Sequence, residues 1–300
     1  MVWDTCKIVL HSPSGGFFYT NDIVTGSVIL DVKEDLKVKQ IDFKVKGISK
    51  AMWTRSSPTM PYIRKYSEKR EVFSVIVDVF GDLKGTTVKP GLLTRQFHFF
   101  LPHDLPPSYE DSIAKVYYRI KIYSKSPFRS SKKTVCSFNV VNQVDLNQFD
   151  EYKIPLMYEM RKNVGKSGNF SLIFKTYKGF TARQLIPFEA IITNERKIKV
   201  RKIKVYLIKK IEYNVSSGFN IVEKKICKAV YSDVLNTVSQ MCYFHMKIPY
   251  TMPSTINMNN LMVSVSYSLR VKVSFLFHLP LVIDIPVTIA SVPVAYHSYM

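Results

Sequence analysis

Apolar and polar residues alternate with a period of two along much of the chain. Ile41, Phe43 and Val45 alternate with Asp42, Lys44 and Lys46. Ile203, Val205 and Leu207 alternate with Lys202, Lys204 and Tyr206, and Phe73, Val75 and Val77 do so less cleanly with Ser74 and Ile76. The clearest run spans Val263 to Phe277, where every odd position is apolar and the even positions through Ser274 are serine, arginine or lysine. Successive side chains of a strand point to opposite faces, so each run predicts a strand with one face in a core and one in water. No segment of helical length carries apolar residues at i, i+3, i+4 and i+7 between caps.

Turn residues punctuate these runs at Ser14-Gly15-Gly16, Pro58, Gly81, Pro90-Gly91, Ser126-Pro127, Gly165-Lys166-Ser167-Gly168 and Ser216-Ser217-Gly218. Short strands with turn signals at such spacing predict β-sandwiches. Asn147 to Gly168 is mixed polar without alternation and reads as a connection. The halves on either side are loosely similar: Phe17 to Gly47 runs aromatic, turn, long strand, lysine-rich turn, long strand, and so does Phe180 to Tyr213. The expected organisation is all-β, with two related antiparallel sandwiches in tandem over residues 1–147 and 166–300 and a connector over 148–165.

Charge extends this picture. Lysine and arginine total 43 against 23 acids, a formal net charge of +20. So basic a surface attracts phosphorylated peptides, acidic lipid head groups or nucleic acid. Arg196, Lys197, Lys199, Arg201, Lys202, Lys204, Lys209 and Lys210 crowd one turn and the strand after it. Lys125, Arg129, Lys132 and Lys133 lie in a serine-rich hairpin loop, KSPFRSSKK. Both clusters are candidate anion or lipid sites, because arginine and lysine hold phosphate by charge-assisted hydrogen bonds and an anionic membrane by about 1 kcal/mol per basic residue. A third cluster, Arg64, Lys65, Lys69 and Arg70, brackets Tyr62 and Tyr66 and reads as a solvated edge that discourages sheet-to-sheet pairing.

Little points to chemistry. Cys6, Cys136, Cys227 and Cys242 form no C-x-x-C, and no histidine or cysteine stands at zinc-ligand spacing. The six histidines sit beside no nucleophile motif, and there is no glycine-rich phosphate loop. The expectation is a non-enzyme without metal or cofactor. The N-terminal apolar run is too short for a signal peptide, which predicts a cytosolic chain with free thiols and idle N-x-S matches at Asn169 and Asn214. The apolar stretch Leu276 to Tyr296 contains His278, Asp284, Pro280, Pro286 and Pro293, which a membrane-spanning helix does not accommodate.

The stretch LPPSYEDSIAKVYYRI, residues 105–120, supports two readings. Pro106, Pro107 and Tyr109 form a PPxY motif, which WW domains grip when it is extended and accessible. The following residues alternate as a strand, with Val116, Tyr118, Ile120 and Ile122 on one face. In the structural reading Tyr109 is a tyrosine corner, its ring buried and its hydroxyl on nearby backbone, and the prolines keep the preceding segment from pairing. The structural reading is the stronger expectation.

Several of these segments together resemble one family. GFFYTNDIVTG, residues 16–26, is similar to its first-hairpin signature, and VKQIDFKVKGISKAMW, residues 38–53, to the next strand pair, with Gly47 and Trp53 in place. LPPSYE resembles the family's L-P-x-S-[FY]-E, Asp145 to Asn147 the end of its first domain, GFTARQLIPFEAIITNE the opening of the second with Asn194 aligned, and Leu279 to Ile283 its last strand. In order and spacing these resemble an arrestin-domain protein of the α-arrestin branch. The pattern departs at Asp284 and Asp111, where glycine is common. The resemblance implies the arrestin fold, two immunoglobulin-like sandwiches without a catalytic site. It also implies an adaptor in the cytoplasm, recruited to plasma or endosomal membrane, that holds the cytoplasmic tail of a receptor or transporter and links it to trafficking, endocytosis or ubiquitylation machinery. Relatives usually carry further PPxY motifs in a C-terminal tail; here a WW-domain ubiquitin ligase has only Pro106–Tyr109 to read. Acidic phospholipids are the expected second partner. The alternative is a basic module for membrane surfaces or nucleic acid without cargo. Nucleic acid is not expected, because the tyrosines form no regular stacking platform.

Overall fold

The alternating runs become strands whose apolar phase is buried. The computed structural model describes residues 3–12, 16–56, 62–124, 132–163, 169–235, 237–256 and 261–296. Apart from two short 3-10 turns, their regular structure is all β. The chain divides into two units. The first runs to Asn142 and takes in Asn214–Phe219 and residues 260–262; the second comprises the rest, from Gln143 onward.

The first unit contains β1 (Thr5–His11), β2 (Phe17–Tyr19), β3 (Ile23–Val32), β4 (Leu36–Lys37), β5 (Ile41–Arg55), β6 (Arg64–Val77), β7 (Thr87–Val88), β8 (Gly91–Phe100), β9 (Tyr109–Glu110), β10 (Ala114–Ser124) and β11 (Lys133–Val141). They form a sheet of order β1-β3-β8 and a larger one of order β2-β11-β10-β5-β6, with β9 paired to β10. The buried phases of the two sheets build one core around Val28, Phe43, Val45, Phe97, Tyr118 and Phe138. Phe43 of β5 meets Phe97 of β8 with ring centroids 4.7 Å apart.

The second unit contains β12 (Leu156–Asn163), β13 (Asn169–Thr176), β14 (Gly179–Thr181), β15 (Leu185–Thr193), β16 (Val200–Val215) as far as Tyr213, β17 (Gly218–Tyr231) from Asn220, β18 (Ser239–Lys247), β19 (Val263–Phe275) and β20 (Leu281–Ala290). Its sheets have the orders β12-β13-β15-β18 and β14-β20-β19-β16-β17. Phe170 and Phe275 join them edge to face, 4.9 Å between centroids. The larger sheets of the two units repeat one strand order. In each, a short early strand pairs in parallel with the last strand, β2 with β11 and β14 with β20. The likeness of Phe17–Gly47 to Phe180–Tyr213 is the sequence trace of that repeat. The tandem all-β architecture expected from the sequence holds.

Two local readings change. β19 ends at Phe275; Phe277 has φ 65° and is 93 % exposed. A left-handed residue breaks the pleat, so an odd number no longer means inward. Within the polar stretch 147–168, residues Leu156–Asn163 form the edge strand β12, paired to β13, with Met160 buried and Met157, Glu159 and Arg161 exposed. Val144 and Leu146 pack with Ala290 and Val294 in the second unit. There the Val144 N–H donates to Ser291 Oγ (2.7 Å) and the Asn147 side-chain amide to the Pro293 carbonyl (2.9 Å).

The segment 276–296 supplies β20, and among the described residues no helix is long and apolar enough to cross a membrane. All four cysteines are free. Burial pushes each thiol up from its ordinary value, Cys227 to about 11.

Candidate functional site

The basic cluster at 196–210 is built by a turn and a strand. Asn194, buried, closes the turn: its side-chain amide donates to the Ile198 carbonyl and its Oδ1 accepts from the Ile198 N–H, both at 2.8 Å. Lys197 takes φ 49°, and Arg196, Lys197 and Lys199 project into solvent while Ile198 is buried. Arg201, exposed, sits at a register shift between Val200 and Lys202, where β16 bulges against β19. Lys202, Lys204, Tyr206 and Lys210 then share one face of the strand, opposite the buried Ile203, Val205 and Leu207.

The cluster does not act as one patch. Lys209 is in register with the buried Tyr267 and lies on the inward phase with Ile211 and Tyr213, so it leaves the lysine face. Lys210 is engaged by Glu212 at 2.5 Å. What remains is a band across β16 and β19. Lys204 stands directly opposite Lys272, with no carboxylate within ion-pair distance of either among the described residues. Beside them Arg270 holds Asp284 through two contacts of 2.7 Å and Glu223 at 3.2 Å, and Lys225 lies 5.0 Å above the Tyr206 ring. The Asp284 hydrogen bond raises the guanidinium pKa above its ordinary value.

Of the loop cluster, Lys125 and Arg129 lie outside the described residues. Lys132 is spent on backbone: its ammonium donates to the Trp3 carbonyl and reaches that of Asp4. Lys133 is exposed, opposite Tyr123 on β10. In the third cluster, the Arg64 guanidinium lies 5.1 Å above the Tyr66 ring, and Arg70 bonds Glu68 at 2.7 Å.

Pro106, Pro107 and Tyr109 are held in place. The Ser108 N–H donates to the Val140 carbonyl (2.8 Å), and Ser108 Oγ accepts from the Val140 N–H (2.9 Å). Tyr109, in β9, pairs with Val116. Its ring is half-buried, and its hydroxyl donates to the Asp111 carboxylate (2.5 Å) rather than to backbone. That carboxylate also accepts the N–H groups of Ile113 and Ala114, both at 2.8 Å, and so shapes the entry to β10. The tyrosine that bonds the proline backbone is Tyr118. It is fully buried and donates to the Pro106 carbonyl at 2.5 Å, and burial raises its pKa. Tyr118→Phe would strand a buried acceptor, and is expected to cost about 1–2 kcal/mol in urea unfolding; Tyr109→Phe, whose partner is half in water, is expected to cost less.

The structure also assembles a cationic face that the sequence left scattered. β5 and β10 run antiparallel with Lys44 opposite Lys121 and Lys46 opposite Arg119, all on the outward phase. Like charges directly opposite across strands repel. The Arg119 guanidinium lies 4.2 Å above the Tyr117 ring, and its Nε is buried without a hydrogen-bond partner. A groove of about 290 Å³ opens here, lined by Lys46, Lys69, Arg119 and Lys121 with Tyr117 and Glu71. Glu71 pairs with Lys46. Partial burial, then Lys133, Lys46, Arg119 and Lys69, pull the Lys121 pKa below the ordinary lysine value.

Comparison with known proteins places these features in a family. The family model described as arrestin (or S-antigen), N-terminal domain, matches residues 6–147, and the corresponding C-terminal domain model matches 176–294. Arrestin domain-containing protein 17 of Caenorhabditis elegans is 27% identical over 157 residues, 48% of this chain and 35% of that protein. Human thioredoxin-interacting protein is 22% identical over 297 residues, 95% of this chain and 74% of that protein. Arrestin-related trafficking adapter 10 of Candida glabrata is 29% identical over 110 residues, 31% of this chain and 22% of that protein. The match to this chain thus spans about a third of the worm protein's length and about three quarters of the human one.

Proposed function

The chain belongs to the arrestin family, and from that premise we propose that it is an adaptor that holds the cytoplasmic tail of a membrane protein, a receptor or transporter, against an acidic membrane surface. The observation that carries the membrane part is the band of lysines on the second unit, Lys202, Lys204 and Lys272, the last two without a carboxylate in ion-pair distance among the described residues, continued by the exposed turn residues Arg196, Lys197 and Lys199. Charges held on a sheet face attract acidic head groups without ordering a flexible loop, at about 1 kcal/mol each. The adaptor would work in the cytoplasm, at plasma or endosomal membrane, and link its cargo to trafficking, endocytic or ubiquitylation machinery.

A WW-domain ligase reading Pro106–Tyr109 fits this reading poorly. The bonds of Ser108 to Val140 and of Tyr118 to Pro106 must break before the motif can lie in a WW groove. Recruitment of such a ligase is better assigned to another contact.

The test is sedimentation with phosphatidylserine-containing vesicles. Lys204→Glu with Lys272→Glu is expected to weaken binding by about 2 kcal/mol, roughly thirtyfold, and high salt to weaken the wild type similarly. Lys209 is left intact because it faces inward. Vesicle binding that ignores both changes would sink the membrane part. Proximity labelling in cells with wild type and the same variant would identify the cargo; a label set devoid of membrane proteins would sink the cargo part.

A further inference from the structure

We propose that the groove over the β5–β10 pair binds a compact ligand carrying two or more phosphate groups, held by Lys46, Arg119 and Lys121, which line it, and by Lys44, which stands opposite Lys121. This site lies in the first unit, on residues the adaptor reading does not use, and it stands or falls separately from that reading.

Three features carry the inference. The first is spacing. Residues opposite across antiparallel strands lie about 5 Å apart, and alternate residues along one strand about 7 Å apart. Lys44 opposite Lys121 and Lys46 opposite Arg119 therefore make a two-by-two block of positive charge. Phosphates on neighbouring positions of a small scaffold match such a block in two dimensions. An extended acidic peptide presents its like-facing side chains in one row about 7 Å apart and would meet only one edge of it.

The second feature is Arg119. Its guanidinium lies 4.2 Å above the Tyr117 ring, and its buried Nε–H has no acceptor among the described residues, which leaves the terminal nitrogens to meet a ligand. A guanidinium pinned by a ring on one face presents its edge donors to an oxyanion in bidentate fashion. The third is imbalance. The one carboxylate lining the groove, Glu71, is already paired with Lys46, so the repulsion that adds to partial burial in lowering the Lys121 pKa is not relieved from within the fold. A polyphosphate would relieve it.

The experiment titrates the full chain with sodium tripolyphosphate by calorimetry. Wild type, Arg119→Gln/Lys121→Gln and a control in exposed lysines of β17, Lys224→Gln/Lys228→Gln, are compared. Saturable binding is expected in the wild type, at least tenfold weaker in the first variant and unchanged in the control. Lys121→Gln alone is expected to melt at or above the wild-type temperature, since it removes repulsion; a purely structural lysine would lower it. Vesicles of phosphatidylcholine with phosphatidylinositol 4,5-bisphosphate separate the two sources of phosphate. Vesicle binding that the first variant loses assigns a lipid head group, and tripolyphosphate binding without vesicle binding assigns a soluble ligand; either upholds the site. Absence of saturable tripolyphosphate binding, equal loss in both double variants, or a response only to a doubly phosphorylated peptide would overturn it.

Discussion

Gly26→Ala is expected to destabilise the first unit by about 3 kcal/mol, at the upper end of overpacking costs, read as a lower urea midpoint with an unchanged slope. A Cβ at this position would stand 2.4 Å from Phe97 Cζ and 2.5 Å from the Val9 carbonyl oxygen. Neither can move freely. Phe97 is buried against Phe43 and stacked on Phe99, so moving its ring disturbs both contacts. The Val9 oxygen belongs to β1, held in register on β3 by pairs from Thr5 to His11. The methyl must therefore push β1 off the sheet. Gly85→Ala is the control: its φ of 81° penalises any side chain, but nothing lies within 4 Å of the added carbon. That change is expected to cost only about 1 kcal/mol of backbone strain. Equal costs at the two glycines would mean that backbone conformation, and not close packing, fixes Gly26.

Leu146→Ala is expected to cost about 2–5 kcal/mol, the range for buried leucine truncations, and the loss should fall on the second unit. Leu146 is fully buried among Val144, Ala290 and Val294, with Tyr152 packed alongside. A Cβ built on Gly179 would come within 2.8 Å of its Cδ1, so the backbone at the start of β14 already sits against the leucine and leaves little slack to refill a cavity. Hydrogen exchange should accelerate first at β14 and at the end of β20, which pair through Gly179 and Thr288. Faster exchange confined to β10 and β11 would place Leu146 in the first unit's folding and refute the assignment.

The strand phases were legible because each needs only its own residues. β5, β10, β16 and β19 bury the apolar set that their alternation marks, as with Val116, Tyr118, Ile120 and Ile122. The basic turn before β16 was also visible, since its charges are contiguous. Pairing partners were not. Lys44 and Lys46 stood in one run and Arg119 and Lys121 in another, each read as an ordinary wet face. Only the register of β5 on β10 sets them opposite one another, and no local pattern encodes a register between distant strands. The same limit hid Tyr118. Its alternation marked it as core, but its hydroxyl finds the Pro106 carbonyl only once β10 lies beside the proline run. Lys209 is the opposite case: its neighbours in sequence are basic, and only its odd position marks the inward phase. β12 leaves little trace in the sequence, because an edge strand with one weakly apolar side carries little signal.

The parallel pairs β2–β11 and β14–β20 have a consequence for biosynthesis. Each joins an early strand of its unit to the last, so neither sandwich can close on the ribosome until its final strand has left the exit tunnel. Phe17–Tyr19 must wait for Asn139–Val141, and Gly179–Thr181 for Thr288–Ala290. Contacts so distant in sequence form slowly, and the nascent chain meanwhile leaves strand edges open to pairing with other chains. Translation that pauses shortly after residue 141 emerges would give the first sandwich time to shut before the second begins to collapse.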